Sequence, residues 1–403
     1  MDGWVKPGHD ILLNLVHRVW RALPRDARRR GLLGLAGMLA PRPDVPPPPV
    51  RAGLAVAGEL ERASGLGEGA RLMLSGVEAL GVPGFAAGAG RTPPPEGVPL
   101  AVHGDASVLP VTMLRLGRRL LRGRRVVGVW PWELPVVPES WQQGFRYVHE
   151  VWAPSRFSAE AVRLAMPGWF RGAVRVVPYC LSCQPPAPLP LDRAALGLPE
   201  GAVITLVAFN LASSFARKNP LAAVAAHRAA FGDRGDRVLV IRVGNAAHFP
   251  NDFLLLRDAV ASAPNIRIDT TIRPRAEAHA VMAACDIVLS LHRSEGFGLV
   301  PAEAMLLGKP VVATAWSGTE DFLRDEWACR VPFTLVPARD SRGVFAAPGA
   351  MWAEPDAAAA AGAMVRLADD PALRRRMGDA GRAASAGLFG PEPLAAAMES
   401  LRP

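Results

Sequence analysis

The sequence has 403 residues, of which 50% are hydrophobic and 21% are charged, and it carries a formal net charge of +9. A chain of this length can bury large cores, so two domains are expected. No stretch reaches the ~18 consecutive apolar residues that a membrane span needs, and Asp2, Pro7 and Asp10 do not match the layout of a signal peptide. These features predict a cytoplasmic protein. The positive charge leaves nucleic acid, an anionic membrane or an anionic small molecule open as partners.

The first 50 residues form a segment of their own. Apolar positions between residues 10 and 40 predict two short helices, and the run from Pro41 to Pro49 predicts a linker because proline cannot continue a helix. The same region, residues 10 to 40, contains a cluster of arginines: Arg25, Arg28, Arg29 and Arg30. We therefore predict a basic helical appendage and a proline-rich linker over residues 1–50.

Residues 51–185 alternate between strand-like and helical patterns, as in a parallel α/β sheet. The first unit is the apolar run Leu54 to Ala57, a glycine turn at Ser64 to Gly69, and a helical pattern up to Leu80. The later strand-like runs are Leu100 to His103, Val126 to Trp130 and Val174 to Tyr179. This region is predicted to be a first Rossmann-like domain.

Residues 191–385 repeat the same alternation more clearly, after a boundary in the proline-rich stretch Pro185 to Pro190. The predicted strands are Val203 to Phe209, Val238 to Val243, Ile266 to Asp269, Ile287 to Leu291 and Val311 to Ala315. They predict a second doubly wound domain, and residues 386–403 predict a last helix that returns toward the first domain. The fold class is thus α/β, with two domains facing each other across a cleft. Ligands are expected at the carboxyl ends of both sheets.

The most specific motif is the segment Glu295 to Glu303, which follows a buried strand and opens a helix. Its glycines let the backbone approach a ligand closely, and the free amides of a helix start favour phosphate. The two glutamates at its ends are suited to accepting hydrogen bonds from sugar or ribose hydroxyls. The alternative is a tight turn with a helix-start charge, and the spacing alone does not decide between the two.

The stretch Ser294 to Ala315, SEGFGLVPAEAMLLGKPVVATA, resembles the E-x7-E signature of the family 4 retaining glycosyltransferases of the GT-B fold, of the bacterial polysaccharide or glycolipid type. Supporting similarity is found at 207–220 (VAFNLASSFARKNP), at 130–153 (WPWELPVVPESWQQGFRYVHEVWA) and at 368–388, so that the resemblance runs from about residue 52 to the end. It implies sugar transfer from a nucleotide diphosphate sugar to a saccharide or lipid-linked saccharide, with retention and without a cofactor or bound metal. It further implies a role in cell-surface polysaccharide or glycolipid biosynthesis.

The same resemblance assigns roles within the motif. Glu303 is expected to hold the ribose hydroxyls, and Glu295 with the amides from Gly296 to Gly298 is expected to hold the sugar. The amides of Leu299 and Val300 are expected to hold the diphosphate. The complete predicted donor-binding set is Gly65, Gly67, Glu68, Gly296, Phe297, Gly298, Leu299, Val300 and Glu303.

Two adjacent cations, Arg217 and Lys218, follow the first strand of the second domain and are expected to face the same cleft as Glu295. An arginine fork and a lysine point charge can together neutralise a leaving diphosphate. In the resembled family a cationic pair at this point has that role. The alternative is an exposed pair on a solvated loop, which the position after a strand end makes less favourable.

The first domain is expected to supply the acceptor side. His103 ends one strand and Glu133 follows the next, and in several family relatives a histidine stands near Trp132 or Glu133, so its role cannot be transferred to this chain. Glu133 is a candidate to orient an acceptor hydroxyl or take its proton, or it is an ordinary loop carboxylate. His103 is a further candidate, or a polar strand-end residue. The glycines of Gly65 to Glu68 permit a close approach to the donor, but they lack the dinucleotide-binding spacing, which disfavours an NAD enzyme.

Two further regions complete the expectations. The nucleobase is expected to contact mainly backbone near Thr271, Ile272 and Arg273. A basic amphipathic helix is predicted from six arginines, Arg115, Arg118, Arg119, Arg122, Arg124 and Arg125, which alternate with leucines. Such a helix is typical of contact with the anionic inner face of a membrane, and the alternative is a solvated helix face.

Two other classes of function remain open. A nucleotide-sugar epimerase also uses doubly wound domains, and it would consume the donor without an acceptor. A non-catalytic binder of nucleotide sugars or nucleic acid is the other alternative, although the aromatic and basic strand pattern of the common RNA modules is missing, so no nucleic-acid partner is expected.

Overall fold

The computed structural model describes residues 25–345 and 347–402, with side chains from residue 31 onward. The predicted helix before residue 25 and the side chains of Arg25 to Arg30 therefore lie outside the described part. The strands are β1 Leu54–Ala57, β2 Gly84–Ala87, β3 Leu100–His103, β4 Val126–Val129, β5 Glu150–Ala153, β6 Val174–Val176, β7 Val203–Asn210, β8 Arg237–Gly244, β9 Ile266–Asp269, β10 Ile287–Ser290, β11 Val311–Thr314, β12 Ala328–Val331, β13 Phe333–Pro337 and β14 Met351–Pro355.

The α-helices of the described residues alternate with these strands. They are α1 Arg25–Leu39, α2 Gly65–Ala79, α3 Leu109–Leu121, α4 Arg156–Leu164, α5 Phe215–Lys218, α6 Pro220–Phe231, α7 Pro250–Val260, α8 Arg275–Ala284, α9 Leu299–Leu306, α10 Ala357–Asp369, α11 Pro371–Leu388 and α12 Glu392–Glu399. None of them is long and apolar enough to cross a membrane.

Two parallel six-stranded sheets form the scaffold, which confirms the predicted two-domain α/β fold. The first has the strand order β2-β1-β3-β4-β5-β6 and the second β12-β11-β10-β7-β8-β9. The strand order reverses next to β1 in the first sheet and between β7 and β10 in the second. Such switch points are where ligands bind in doubly wound sheets, and the loops after β7 and β10 carry Arg217, Lys218 and Glu295.

The core of the first domain is rich in aromatic side chains. Trp130 directly follows β4, and its ring contacts Phe145 at a centroid distance of 4.9 Å and Trp141 at 5.8 Å, both edge-on. Trp132 packs on the same group, 4.8 Å from Trp141. Edge-on contacts of this kind add stability beyond the burial of apolar area. These ring contacts hold the loop after β4, which includes Glu133, against the core of the first domain.

Strands β13 and β14 form an antiparallel hairpin outside both sheets. The pattern of the sequence did not predict it. The hairpin follows β12 of the second domain, yet Phe345, Ala350 and Trp352 are buried in the same apolar cluster as Trp132 of the first domain. The hairpin therefore connects the two domains.

The last helix, α12, packs on the first domain. Leu394, Ala397 and Leu401 are buried together with Leu54 of β1 and Val127 of β4. The Arg125 guanidinium donates to the carbonyl oxygen of Leu401 at 3.1 Å. Residues 394–401 thus complete the core of the first domain.

The prediction of one continuous basic helix over Arg115 to Arg125 was wrong in part. Helix α3 ends at Leu121, and Gly117 interrupts it with a positive φ of 76°. Arg124 lies beyond its end and is buried, because its guanidinium donates to the carbonyl oxygens of Pro95 and Val98. Arg124 therefore links the segment after α3 to the loop before β3. Four of the other arginines are exposed: Arg115, Arg118, Arg119 and Arg122.

Candidate active site

A cleft of about 460 Å³ opens between the two domains at the carboxyl ends of their strands. Its walls combine helix α2 of the first domain with α5, α8 and α9 of the second. Six cationic side chains line it: Arg71, Arg217, Lys218, Arg242, Arg273 and Arg275. Among the residues that the structure describes, three carboxylates line it: Glu68, Glu295 and Glu303. This excess of positive charge in a concave site favours an anionic ligand.

Three charged side chains meet at the inner end of the cleft. The Arg217 guanidinium donates to Oε2 of Glu295 at 3.1 Å and to the carbonyl oxygen of Ser294 at 2.8 Å. The Lys218 ammonium pairs with Oε1 of the same glutamate. On its other side, Arg217 lies 3.4 Å from Oε1 of Glu133 in the first domain. The structure thus brings together the predicted residues Glu295, Arg217, Lys218 and Glu133.

The charge states of these residues follow from their neighbours. Burial by itself would raise the pKa of Glu295, but Lys218 and Arg217 outweigh it and bring the pKa down to about 2. Burial lowers the pKa of Lys218, partly opposed by Glu295. Burial also raises the pKa of Glu133, against the influence of Arg217. Glu295 is therefore a fixed anion, whereas Glu133 accepts a proton more readily than an exposed glutamate.

The turn that carries the two cations has an unusual backbone. Ser214 has a φ of 73°, and its hydroxyl accepts a hydrogen bond from the Arg217 amide at 3.2 Å. Asn219 ends the one-turn helix α5 in a left-handed conformation with a φ of 50°. Positive φ in a residue other than glycine is costly, and such residues are concentrated at functional sites. The turn presents Arg217 and Lys218 side by side.

The loop after β10, here called the donor loop because it carries the predicted donor-binding residues, leads directly into helix α9. Gly298 has a φ of 100°, and a Cβ at this position would lie 2.5 Å from the Thr319 side chain, so a larger residue does not fit. Leu299 and Val300 are the first helical residues and line the cleft. The first amides of a helix have no intrahelical acceptor, which makes this end suitable for phosphate.

Gly296, whose amide was predicted to hold the sugar, packs against the first domain. It does not line the cleft, and a Cβ there would lie 3.2 Å from the carbonyl oxygen of Trp132. Its own carbonyl oxygen accepts a hydrogen bond of 2.6 Å from the Ser155 hydroxyl. Gly296 is therefore a point of contact between the two domains. Phe297 does line the cleft, and its ring packs 5.0 Å from that of Tyr179.

The far end of the cleft carries the other two carboxylates. Glu303 on α9 faces His279 on α8, with Oε1 3.5 Å from Nε2. Glu68 on α2 forms ion pairs with Arg71 of its own helix and with Arg275 of the second domain, each at 2.7 Å. The pair between Glu68 and Arg275 spans the cleft, so the domains are drawn together in this state.

The glycines of the first-domain turn divide into two kinds. Gly65 begins helix α2 and lines the cleft, capped by Ser64. Gly67 does not line it, since a Cβ there would lie 2.4 Å from the carbonyl oxygen of Arg62. Gly67 is thus needed for close packing of the preceding loop, and only Gly65 and Glu68 of the predicted trio reach the cleft.

The structure does not bring His103 to the cleft. Its ring is buried behind helix α2, and its Nε2 lies 3.1 Å from the hydroxyl of Tyr179. Gly69 of α2 packs so closely that a Cβ would lie 2.7 Å from this nitrogen. Burial lowers the pKa of His103 to about 4, so the imidazole is neutral at physiological pH. Tyr179, which the sequence did not indicate, lines the cleft in its place.

The predicted base region contributes one side chain. Arg273 lines the cleft and pairs with Asp269 of β9, whereas Ile272 is 98% exposed and Thr271 is also exposed. The sequence prediction missed Arg242 on β8 and Arg275 at the start of α8, which line the same wall. A signal for both was present, because each arginine stands near the carboxyl end of a strand or at a helix start.

No metal-ligand cluster was found among the residues that the structure describes, in the sense of three or more His, Cys, Asp or Glu side chains around one point.

Comparison with known proteins gives one match by sequence. The profile of the family described as "Glycosyl transferases group 1" matches residues 221–370, which include Glu295 and Glu303 but begin just after Lys218. No curated protein sequence matches the chain.

Solved structures match over both domains. Sucrose-phosphate synthase from Thermosynechococcus elongatus has a TM-score of 0.61 at 19% identity, covering 87% of this chain and 98% of its own. HepE from Anabaena, in complex with UDP and glucose, has a TM-score of 0.59 at 13% identity, covering 87% and 100%. At these identities the likeness shows the fold alone.

A variant of S. aureus TarM, in complex with fondaparinux, alpha-GlcNAc-glycerol and UDP, has a TM-score of 0.55 at 10% identity, covering 76% of this chain. The present chain spans about half of TarM, 55% of its length. The profile match and the two-domain fold together support a glycosyltransferase of the GT-B type.

Proposed function

We propose that the chain transfers a sugar from a nucleotide diphosphate sugar to a saccharide or lipid-linked saccharide, with retention of configuration. The observation that carries this proposal is the meeting of Arg217, Lys218 and Glu295 beside the start of helix α9 in a positively charged cleft. Two cations next to free helix amides are suited to a diphosphate, and the adjacent carboxylate is suited to sugar hydroxyls.

Each wall of the cleft has a part in this proposal. Arg217, Lys218 and the amides of Leu299 and Val300 hold the diphosphate and stabilise its charge as the glycosidic bond breaks. Glu295 stays ionised because its pKa is about 2, and it accepts hydrogen bonds from the sugar. Glu303 accepts from the ribose hydroxyls at the other end. The cations take the place of a metal ion at the diphosphate, so turnover is expected without added divalent cations.

UDP is the first nucleotide to test, because the structures of HepE and TarM contain it. The sugar, the acceptor and a role in cell-surface polysaccharide or glycolipid synthesis belong to the same proposal. Peripheral contact with the inner face of a membrane is supported by the exposed arginines of α3. Exposed apolar residues on the neighbouring helix α1, Leu32, Leu35, Met38 and Leu39, support the same contact.

The test is a thermal-shift screen of UDP-, GDP- and dTDP-sugars, followed by product analysis with lipid extracts. A ligand that binds only the folded state adds about 2.7 kcal/mol to the free energy of unfolding at a ligand concentration of 100 Kd. The melting temperature therefore rises. We expect one nucleotide class to do so and to yield an acceptor-dependent product. The proposal is wrong if no sugar nucleotide shifts the transition.

The same assay separates the two other classes. Consumption of the donor without any acceptor would favour an epimerase. A shift in melting temperature without any turnover, with every acceptor fraction, would favour a non-catalytic binder.

A further inference from the structure

The hairpin of β13 and β14 reaches from the second domain to the first beside the cleft. Its connecting loop carries Phe345, which is only 4% exposed and lies 5.6 Å from the Trp132 ring, centroid to centroid. Trp132 is followed directly by Glu133 and lies against Gly296 of the donor loop. The loop therefore covers the junction between the donor loop and the acceptor side.

Phe345 also contacts Arg217. The guanidinium carbon lies 5.2 Å from the centroid of the Phe345 ring, and Arg217 is 2% exposed. A cation over an aromatic face is attracted by the ring quadrupole, most strongly where water is excluded. The ring adds a third kind of contact to a guanidinium already paired with Glu295 and Glu133. One aromatic side chain thus touches both the first domain and the central cation of the second.

Asp340 connects the same loop to the turn that carries Arg217. One carboxylate oxygen accepts a hydrogen bond of 2.9 Å from the Ser214 hydroxyl. The other accepts from the amides of Val344 at 2.9 Å and Phe345 at 3.4 Å. The Ser214 hydroxyl in turn accepts from the Arg217 amide. Backbone and side chain of Arg217 are therefore both held by the hairpin loop.

We propose that Phe345, supported by Asp340, is a positioning residue that makes the placement of the Arg217 guanidinium depend on closure of the two domains. This inference rests on the proposed function of Arg217 at the diphosphate. When the hairpin is seated on Trp132, the ring fixes the guanidinium beside Glu295. When the first domain moves away, the ring loses Trp132, and Arg217 loses Glu133. Arg217 is then fully placed only in the closed state, in which water is excluded from the leaving diphosphate.

The test compares Phe345→Leu with a matched control, Phe249→Leu. Arg342 belongs to the same loop, and its guanidinium carbon lies 4.5 Å from the Phe249 ring centroid. Both variants remove an arginine–aromatic contact made by the hairpin loop, but only Phe345→Leu removes one at Arg217. We expect Phe345→Leu to lower kcat about 5- to 30-fold with donor KM within about threefold, because the contact acts mainly on the charge that develops during transfer. Phe249→Leu should keep kcat within about twofold.

Two further variants distinguish positioning from general packing. Phe345→Tyr keeps the aromatic face and should restore most of kcat. Asp340→Asn keeps the size of the side chain but replaces one of the two accepting oxygens with a donor, so kcat should fall without a change in the Phe345 ring itself. Equal loss of kcat in Phe345→Leu and Phe249→Leu, or none in either, overturns the inference.

Amide hydrogen exchange tests the positioning role of Phe345 without a measurement of turnover. Phe345→Leu should speed exchange in the segment 213–219 several-fold relative to the wild type, and Phe249→Leu should leave it unchanged. A wild-type chain that transfers no sugar would refute the proposed function alone. Unchanged exchange in 213–219 for Phe345→Leu and Asp340→Asn would refute the positioning role alone.

Discussion

The proposed donor half and the proposed acceptor half of the cleft are built in opposite ways. The donor half is an open space between α2, α8 and α9, lined by six cations and three carboxylates. The acceptor half, around Glu133, is packed with the rings of Trp132, Trp141 and Phe345. A preformed charged space can receive a nucleotide without rearrangement. The aromatic face around Glu133 is packed, so we expect the donor to bind before the acceptor.

The largest expected effect is at the donor half, on Lys218. Lys218→Ala removes one of the two cations that we propose stabilise the leaving diphosphate, and kcat/KM should fall by about 100-fold or more. Lys309→Ala is a matched control, because it is a half-buried lysine whose pKa is also lowered by burial but which does not line the cleft. Steady-state assays with the identified donor check this prediction. Near-normal rates for Lys218→Ala would contradict the proposed donor site.

The pH dependence sharpens the same prediction. Burial lowers the pKa of Lys218, so the ammonium loses its proton at a lower pH than an exposed lysine. The rate should therefore fall on the alkaline side below the usual lysine pKa of about 10.4. In Lys218→Arg the cation does not titrate, so this alkaline limb should move to higher pH. An alkaline limb that stays in place would mean that another group causes it.

The next effect in size concerns the acceptor half. If Glu133 takes the acceptor proton, Glu133→Gln should lower the transfer rate about tenfold or more while the donor dissociation constant changes less than about threefold. Because burial raises the pKa of Glu133, the wild-type rate should fall on the acid side above the usual glutamate pKa of about 4.3, and the variant should lose that limb.

His103→Gln provides the contrast for Glu133. His103 lies behind α2, and among the described residues its side chain has one hydrogen-bond partner, the Tyr179 hydroxyl, which a glutamine at position 103 could also bind. Transfer should stay within about twofold of the wild type. Equal losses in the two variants would mean that the acceptor reaches the interior behind Tyr179.

The smallest expected effect comes from the bridge across the cleft. Arg275→Gln breaks the ion pair with Glu68. The Arg275 side chain is 33% exposed and the Glu68 side chain is 12% exposed. Partly exposed pairs contribute about 0.2–1 kcal/mol, so donor KM should rise by no more than about fivefold. In the double variant with Glu68→Gln the two effects should not add, as measured by a double-mutant cycle. Additive effects would show that the two side chains act independently.

The donor half was predictable because its chemistry is local in the sequence. A strand, a glycine turn and a helix start place Glu295 and Leu299 on one loop, and the strand-end rule places Arg217 opposite them. The position of His103 was not predictable, because a strand end does not show which side of a helix its side chain faces. Gly69 decides that here, through the close approach of α2.

The hairpin was missed for a related reason. Its strands are five residues each, and the loop between them has no periodic pattern, so nothing in the order of residues marks Phe345 as a contact of Trp132. The two residues are more than 200 positions apart, and only the folded chain brings them together. Buried arginines such as Arg124, which bind backbone carbonyls, are indistinguishable in sequence from the exposed arginines beside them.

The return of α12 to the first domain has a consequence for biosynthesis. Leu394 and Leu401 fill a place beside Leu54 and Val127 that stays empty while the second domain is still being translated. Domains usually fold in the order in which they leave the ribosome. We therefore expect the first domain to keep this apolar groove exposed until residue 401 has emerged. The nascent chain is thus most exposed to aggregation and most in need of a chaperone during that interval.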